Sequence, residues 1–318
     1  MHIPDGFLGA GTLLASAVVS TAALSLALRA LKRDLPARRV PLIGLTAAFV
    51  FAAQMLNFPV AAGTSGHLIG ATLATVLLGP AAAIVTMTAV LLLQCLMFAD
   101  GGLMALGANV LNLAVIAPLT AWVVLWPVRR RSNVGDRALL AAAGFAAWCS
   151  TVAAALACAL ELATSGVVAL RPAVYAMGGV HMLIGLGEAV ITMLVLAVVV
   201  RARPELIEVR NRAPAAGAAG PRRRYAAPIA IAAMVLAAPF ASRLPDGLER
   251  VAAELGFAAR TTARAGAPLD GYDIPWLSAA MPWLGAVITG ALGALIAFLV
   301  AWALARALAA APRNAALR

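Results

Sequence analysis

The chain has 318 residues, of which 63% are hydrophobic and only 12% are charged, and its mean hydropathy is +0.95. Soluble domains are about 45–50% apolar and about 25% charged, and one globular core cannot bury this much apolar surface. The composition predicts an all-α polytopic membrane protein surrounded by lipid. It excludes a soluble enzyme, a disulfide scaffold and a disordered chain. The net charge of +11 does not predict a nucleic-acid partner, because basic residues of membrane proteins collect in cytoplasmic loops.

Nine apolar segments follow one another along the chain. Eight of them have roughly the length of a membrane-spanning helix. The third has about 13 residues, and we expect it to form a half-length or tilted helix within the bundle. In chain order the segments are 8–28, 40–57, 67–79, 82–98, 104–127, 138–164, 176–200, 226–241 and 281–305.

The distribution of basic residues predicts the orientation. If the N-terminus is outside, 19 of the 24 Lys and Arg residues fall on the inside, as the positive-inside rule requires. The C-terminus is then also inside, and a count of eight segments would break the alternation. Because residues 1–8 contain no Lys or Arg, we expect an uncleaved N-terminus rather than a signal peptide. The inside stretches are 29–39, 129–137, 201–224 and 306–318.

A linker divides the chain into two units of a multi-pass protein of the cell membrane. Residues 201–225 combine charges with Pro, Gly and Ala, which is typical of a flexible cytoplasmic linker. The first unit, 1–200, contains seven segments. The second unit, 226–318, contains two spans that enclose an exterior loop at 242–280, rich in acidic residues.

The three histidines all map to the exterior side of the membrane in this topology. The amine of Met1, the amide nitrogen of His2 and the His2 imidazole can close five- and six-membered chelate rings on one ion. His67 could supply a fourth nitrogen, and four nitrogens in a plane favour Cu(II) or Ni(II), with Co(II) as a neighbour. The residues alone leave a second interpretation open, in which His2 is a solvated terminal residue and His67 a histidine at a helix end.

Several other polar residues lie in apolar segments, where such groups face the protein interior. They are candidates either for orienting the metal ligands or for plain interhelical hydrogen bonds. His181 and Glu188 lie seven residues apart on one helix face and could form a proton or metal path or a structural contact. Asp100 is interpreted as an exterior turn residue. The candidates that could support the site are Asn57, Ser65, Asn109, Asn112, His181 and Glu188.

The sequence contains no HExxH, GxSxG or P-loop motif. We therefore expect no enzymatic activity, and any ATP must be hydrolysed by another chain. Two rival hypotheses stay open at this point. One is an intramembrane zinc enzyme that uses His67, His181 and Glu188. The other is a proton-driven transporter that uses Glu161 and Glu188.

Four motifs resemble the CbiM/NikM family, the substrate-capture (S) components of energy-coupling factor (ECF) transporters for cobalt and nickel. They are MHIPDGFLG at 1–9, AAQMLNFPVAAGTSGHLIGA at 52–71, FADGGLMALGANVLN at 98–112 and GGVHMLIGLGEAVIT at 178–192. LPDGLERVA at 244–252 and the apolar stretch at 273–295 resemble the PDGLE-type NikN domain, a two-span accessory unit. The chain is thus similar to a fusion of the two.

The resemblance implies a function and a set of partners. It implies that Met1, His2 and His67 bind the metal, and that the chain imports Ni(II) or Co(II), with nickel slightly favoured. It also implies a transmembrane coupling subunit (CbiQ/NikQ-like) and ABC-type ATPases (CbiO/NikO-like) as partners. No cofactor is expected, since the ion is the transported substrate.

Overall fold

The computed structural model describes residues 1–61, 63–131, 134–208, 232, 236–237, 240–262 and 266–309. This part of the chain is mostly helical, and its one strand pair is a short antiparallel hairpin of β1 (Phe58–Pro59) and β2 (Ser65–Gly66). The helices are α1 (Ala10–Asp34), α2 (Val40–Gln54), α3 (Ala71–Leu78), α4 (Pro80–Phe98), α5 (Leu106–Val124), α6 (Trp126–Arg129), α7 (Asp136–Thr164), α8 (Leu170–Ala202), α9 (Gly247–Glu254), α10 (Pro275–Ser278) and α11 (Pro282–Leu308). Single 3₁₀ turns lie at Ala37–Arg39, Pro204–Leu206, Ala258–Arg260 and Asp270–Tyr272.

The helices confirm the predicted fold class of a polytopic helical membrane protein. Among the described residues, α1, α4, α5, α7, α8 and α11 are long and apolar enough to cross a membrane. The second predicted segment is the 15-residue helix α2, and the short third one is the 8-residue helix α3. Most of the predicted segment 226–241 and most of the predicted linker 201–225 lie outside the described residues.

Burial distinguishes the centre of the bundle from its edge. In the most apolar window of α4, 78% of the residues are buried inside the protein, against 17% in that of α1. Helix α4 is therefore the most buried of the six candidate spans, whereas α1 leaves most of its surface for lipid. Apolar side chains on such an outer face are stable because the surrounding solvent is hydrocarbon.

The C-terminal helix packs against the first unit through glycine. A Cβ atom at Gly293 of α11 would lie 2.1 Å from Cε1 of Phe51 on α2. At Gly44 of α2 a Cβ atom would lie 2.9 Å from the ring of Phe298. Small residues allow helices in lipid to approach this closely. The second unit is therefore docked on the helix bundle of the first.

Candidate metal centre

The first residues of the chain fold back onto the bundle through Asp5. Its carboxylate accepts hydrogen bonds from the backbone N–H groups of Leu103 (3.0 Å), Met104 (2.9 Å) and Ala105 (3.1 Å), which lead into α5. Gly6 makes the turn with a φ of +93°, and a Cβ atom there would lie 2.0 Å from the carbonyl oxygen of Arg260. The sequence PDG therefore forms the turn expected of these residues.

Asn109 fixes the backbone immediately after the first two residues. Its Oδ1 accepts a hydrogen bond from the N–H of Ile3 at 2.7 Å, and its Nδ2 donates to the carbonyl oxygen of Ile3 at 3.0 Å. The side chain of Ile3 is buried at 1% exposure. Asn109 thus binds the backbone of Ile3 rather than its side chain, and it sets the position from which Met1 and His2 extend.

The loop that carries His67 is held from several sides. Glu188 on α8 accepts hydrogen bonds from the N–H groups of Ile69 (2.5 Å) and Gly70 (2.9 Å). Gln54 donates from Nε2 to the carbonyl oxygen of Ile69 at 2.7 Å. Backbone N–H and C=O groups buried at this depth must be paired, and these side chains pair them. The loop is consequently held in place on the C-terminal side of the histidine.

The two segments bring the N-terminal amine and two imidazoles together. The Met1 nitrogen lies 2.6 Å from Nε2 of His67. The rings of His2 and His67 stack with centroids 5.3 Å apart and an angle of 15° between their planes. Nδ1 of His67 lies 3.2 Å from the carbonyl oxygen of Leu68. A proton on Nδ1 would donate to that oxygen, which leaves the lone pair of Nε2 free to bind an ion.

Burial keeps both imidazoles in the neutral form that binds metals. Burial, and then the positive charge of the terminal amine, lower the pKa of His67 to about 3. Burial also lowers the pKa of His2, although the nearby carboxylate of Asp100 opposes this shift. Neutral imidazole is the form that ligates metal ions. At neutral pH both rings are therefore ready ligands.

Two carboxylates contact the same nitrogens. Oδ2 of Asp246 lies 2.8 Å from the Met1 amine, and Oδ1 of Asp100 lies 3.1 Å from Nδ1 of His2. Tyr272 donates its hydroxyl proton to Oδ2 of Asp100 at 2.6 Å. Burial raises the pKa of Asp246, but the charge and hydrogen bond of the amine outweigh burial and leave this pKa below its ordinary value. Neither carboxylate is among the metal ligands predicted from the sequence, which interprets Asp100 as a turn residue and places Asp246 in the acidic exterior loop.

Two cavities adjoin the site. The larger one has a volume of about 310 Å³, and its lining includes His2, His67, Asp100, Asp246 and Asp270. The smaller one has a volume of about 10 Å³, roughly the space of one water molecule. Its lining residues are Met1, Gly66, His67, Ile69, Thr151, His181, Ile184, Asp246 and Gly247. The carboxylates in the lining of the large cavity raise the local concentration of cations there.

The structure brings some of the sequence candidates to this site and places others elsewhere. His181 reaches the small cavity, and its Nδ1 lies 2.8 Å from the carbonyl oxygen of Met177. Asn57 lines the large cavity, and its carbonyl oxygen accepts a hydrogen bond from the N–H of Ser242 at 2.7 Å. Asn112 instead donates to Glu161 on α7 at 2.6 Å.

Ser65 connects the two units of the chain. Its N–H donates to the carbonyl oxygen of Pro245 at 2.8 Å, and its hydroxyl donates to that of Leu244 at 2.7 Å. Asp246, Leu244 and Pro245 belong to one short segment of the second unit. That segment therefore touches both the amine and the His67 loop.

Comparisons with known proteins define the class. The family model described as "Cobalt uptake substrate-specific transmembrane region" matches residues 2–206, and the PDGLE domain model matches residues 223–310. The chain is accordingly a multi-pass membrane protein of a metal-transporter class and not an enzyme. It belongs to the CbiM family of nickel and cobalt transport proteins and carries a PDGLE domain, as the sequence motifs predicted.

Individual relatives agree with this membership. The chain is 37% identical over 253 residues to the fused nickel transport protein NikMN of Rhodobacter capsulatus, covering 75% of this chain and 72% of the relative. It is 33% identical over 279 residues to the cobalt transport protein CbiM of Geobacter sulfurreducens, covering 80% and 79%. A crystal structure of a truncated transition metal transporter shares 31% identity and a TM-score of 0.57, covering 63% of this chain and 99% of that one.

Proposed function

We propose that the chain is the substrate-binding membrane subunit of an ECF-type importer for Ni(II) or Co(II). The ion is held by the amine of Met1, the amide nitrogen and imidazole of His2, and the imidazole of His67. The observation that carries this proposal is the 2.6 Å separation of the Met1 nitrogen and Nε2 of His67. Two ligands of one metal ion lie at about this separation, because metal–nitrogen bonds are about 2.0–2.1 Å long.

The chemistry of the donor set favours a late transition metal. Binding through an amide nitrogen displaces its proton, which only a strongly polarising ion repays, and four nitrogens in a plane suit Ni(II). Among the described residues, no group of three His, Cys, Asp or Glu side chains could hold a metal ion by itself. Side chains alone thus do not offer a site there, and the terminal nitrogens supply what they lack. The relative from Rhodobacter capsulatus is named for nickel, and we favour nickel slightly over cobalt.

Binding through Nδ1 of His2 exchanges its contact with Asp100 for the ion, and the proton on Nδ1 moves to Nε2 of the same ring. The ion arrives through the acidic cavity of about 310 Å³ and needs no further cofactor, because it is itself the substrate. Once bound in a buried chelate it leaves slowly unless the ligands are pulled apart. We propose that the implied partners, a CbiQ/NikQ-like coupling subunit and CbiO/NikO-like ABC ATPases, separate the ligands and release the ion.

The rival proton path through Glu161 and Glu188 has less support. Glu188 is engaged by the backbone of Ile69 and Gly70, and Glu161 by Ser16 and Asn112. A carboxylate that holds backbone groups in place is committed to structure, and protonation would weaken those bonds. The same engagement of Glu188 disfavours a zinc enzyme that uses it as a ligand.

The decisive experiment changes only the N-terminus. Ni(II) and Co(II) binding is measured on the purified chain that starts at Met1 and on a version that carries two extra residues before it. The extension turns the amine into an amide and crowds a buried position, so we expect high-affinity binding to be lost. An extended protein that binds as tightly as the original would refute the terminal chelate.

A further inference from the structure

We propose that Asp246 of the PDGLE motif is a positioning residue of the metal centre, which holds the terminal amine where the ion binds. The inference rests on the proposed function and extends the centre to the second unit of the chain. Its basis is the ion pair between Oδ2 of Asp246 and the Met1 nitrogen at 2.8 Å. Residue 246 is remote in sequence from residue 1, so the contact exists only because the two units are docked.

The cap of α9 fixes the carboxylate. Oδ1 of Asp246 accepts hydrogen bonds from the N–H groups of Leu248 (2.8 Å) and Glu249 (2.9 Å). Glu249 completes the capping box by accepting a hydrogen bond from the N–H of Asp246 at 2.9 Å. One oxygen is thus bound to the helix end and the other is aimed at the amine. A carboxylate held in this way can orient a partner without reorganising.

Glycine at the next position lets the helix end approach the site. A Cβ atom at Gly247 would lie 2.7 Å from Cε1 of His181 and 2.8 Å from Cδ1 of Ile184. Any larger residue would push α9 away from α8 and draw Asp246 off the amine. Glycine therefore follows Asp246 because α9 packs closely on α8 at this point, which is separate from the ordinary use of Asp-Gly pairs in turns.

The same segment also holds the loop of the other ligand. The carbonyl oxygens of Leu244 and Pro245 accept hydrogen bonds from Ser65, two residues before His67. Residues 244–246 therefore fix the separation between the amine and the His67 imidazole from one rigid support. Such outer contacts orient ligands and tune metal affinity.

The contact with the amine suits the occupied site as well. A coordinated amine keeps two N–H groups, so one of them can still donate to Oδ2 of Asp246. A divalent ion bound by one deprotonated amide leaves a charge of about +1, which a nearby carboxylate balances. Four nitrogens already fill the plane around the ion, and the role of Asp246 is to place one of them.

The test separates the amine contact from the helix cap. Asp246→Ser and Asp246→Asn keep good N-cap residues but remove the carboxylate oxygen that faces the amine. Glu254→Gln is the matched control, because it removes an exposed carboxylate of the same helix, which accepts a hydrogen bond from Arg250, and leaves Asp246 and its cap in place. Ni(II) affinity and the ligand-field absorption band of bound Ni(II) are measured on the full chain that starts at Met1, together with its thermal unfolding.

We expect both Asp246 variants to bind Ni(II) about 10–100-fold more weakly, the loss typical of outer partners of metal ligands. The absorption band should not move, and Glu254→Gln should stay within about threefold of the wild type. Wild-type affinity in the Asp246 variants would overturn the inference. An equal loss in Glu254→Gln would attribute the effect to the negative charge of α9 rather than to the amine contact, and a shifted band would make Asp246 a ligand. Failure of the wild type to bind Ni(II) would instead overturn the proposed function, and this inference with it.

Discussion

His67 presents one particular ring nitrogen to the N-terminal amine. Its Nδ1 lies beside the carbonyl oxygen of Leu68, and its Nε2 lies 2.6 Å from the Met1 nitrogen. His181 shares the small cavity with His67, but its ring is packed against Gly247. The two histidines are thus similar in burial and differ in the partner they face, which makes them a natural pair for comparison.

We expect His67→Ala to weaken Ni(II) binding by more than about 100-fold, because a lost ligand costs more than a lost outer partner. His181→Ala should weaken it by no more than about fivefold, because this side chain supports the neighbouring helix end and contributes none of the four nitrogens. Isothermal titration of the two purified variants measures the difference. Comparable losses in both would contradict the assignment of His67 as the fourth ligand.

At this scale the sequence singled out the nitrogens that lie together in the structure, but it did not single out the carboxylates beside them. Met1, His2 and His67 stand out because few nitrogens in an apolar chain can bind a metal. Asp100 and Asp246 carry no such mark, since carboxylates are common in exterior turns. Their partners are set by the docking of the two units, and no local pattern reports such a contact. The only sequence signal for these two carboxylates is that they are acidic residues of the FADGG and PDGLE motifs.

Helix α5 shows how an element places a functional side chain. It contains a π-helical turn at Val110–Ile116, which ends two residues before Pro118. Proline lacks the N–H that would bond to the carbonyl of the residue four positions earlier, here Ala114. The wider turn also offsets the faces of the helix, and such turns are frequent at functional sites. Asn109 precedes this turn and faces Ile3, whereas Asn112 lies within it and faces Glu161.

The pair Asn109 and Asn112 yields a prediction about this helix. Asn109→Ala leaves the buried N–H of Ile3 without its partner, at a cost of about 1–3 kcal/mol, and frees the N-terminal segment. We expect Ni(II) affinity to fall about tenfold, equivalent to about 1.4 kcal/mol.

Asn112→Ala is the control for this prediction, because it removes from the same helix another buried asparagine, which donates to the carboxylate of Glu161. We expect it to lower the unfolding temperature similarly and to change the Ni(II) affinity by less than about threefold. Both quantities are measured in detergent. A larger loss of affinity in Asn112→Ala than in Asn109→Ala would show that the hydrogen bonds between Asn109 and the backbone of Ile3 do not set the geometry of the site.

Hydropathy predicted the helix centres well and the helix ends less well. The first apolar window is 8–28, but α1 continues to Asp34 through Arg29, Lys32 and Arg33. The window at 176–200 likewise misses the first turns of α8, which begins at Leu170. Helices extend beyond the hydrocarbon because their backbone bonds persist in water, where charged side chains are favourable. Apolar runs report only the part of a helix that lies in lipid.

At the scale of the whole molecule, a chain of contacts links the C-terminal helix to His2. Thr289 on α11 donates its hydroxyl proton to the carbonyl oxygen of Tyr272 at 2.9 Å. The ring of Tyr272 stacks on Phe98 with centroids 4.6 Å apart. Its hydroxyl donates to Asp100, which contacts Nδ1 of His2. The second unit therefore contacts the site at a second point. Asp246 contacts the amine of Met1, and Tyr272 contacts Asp100 beside His2.

This linkage predicts the effect of disturbing a helix contact far along the chain. Gly293→Leu forces a side chain against Phe51 and Phe98, and such overpacking costs about 1–3 kcal/mol. Displacement of α11 moves Tyr272 and with it Asp100, so we expect Ni(II) affinity to fall about tenfold, or about 1.4 kcal/mol. Tyr272→Phe removes only the hydroxyl that donates to Asp100 and should reproduce most of this loss.

Ala291→Leu is the matched control, since it adds the same side chain to an exposed position of the same helix. We expect it to bind Ni(II) within about twofold of the wild type, because an exposed apolar residue on this helix faces lipid. Titration of the three variants with Ni(II) decides between two views of the second unit. Wild-type affinity in Gly293→Leu and Tyr272→Phe would mean that α11 only anchors the unit. A loss shared by both would mean that the docked helix helps to shape the site that receives the ion.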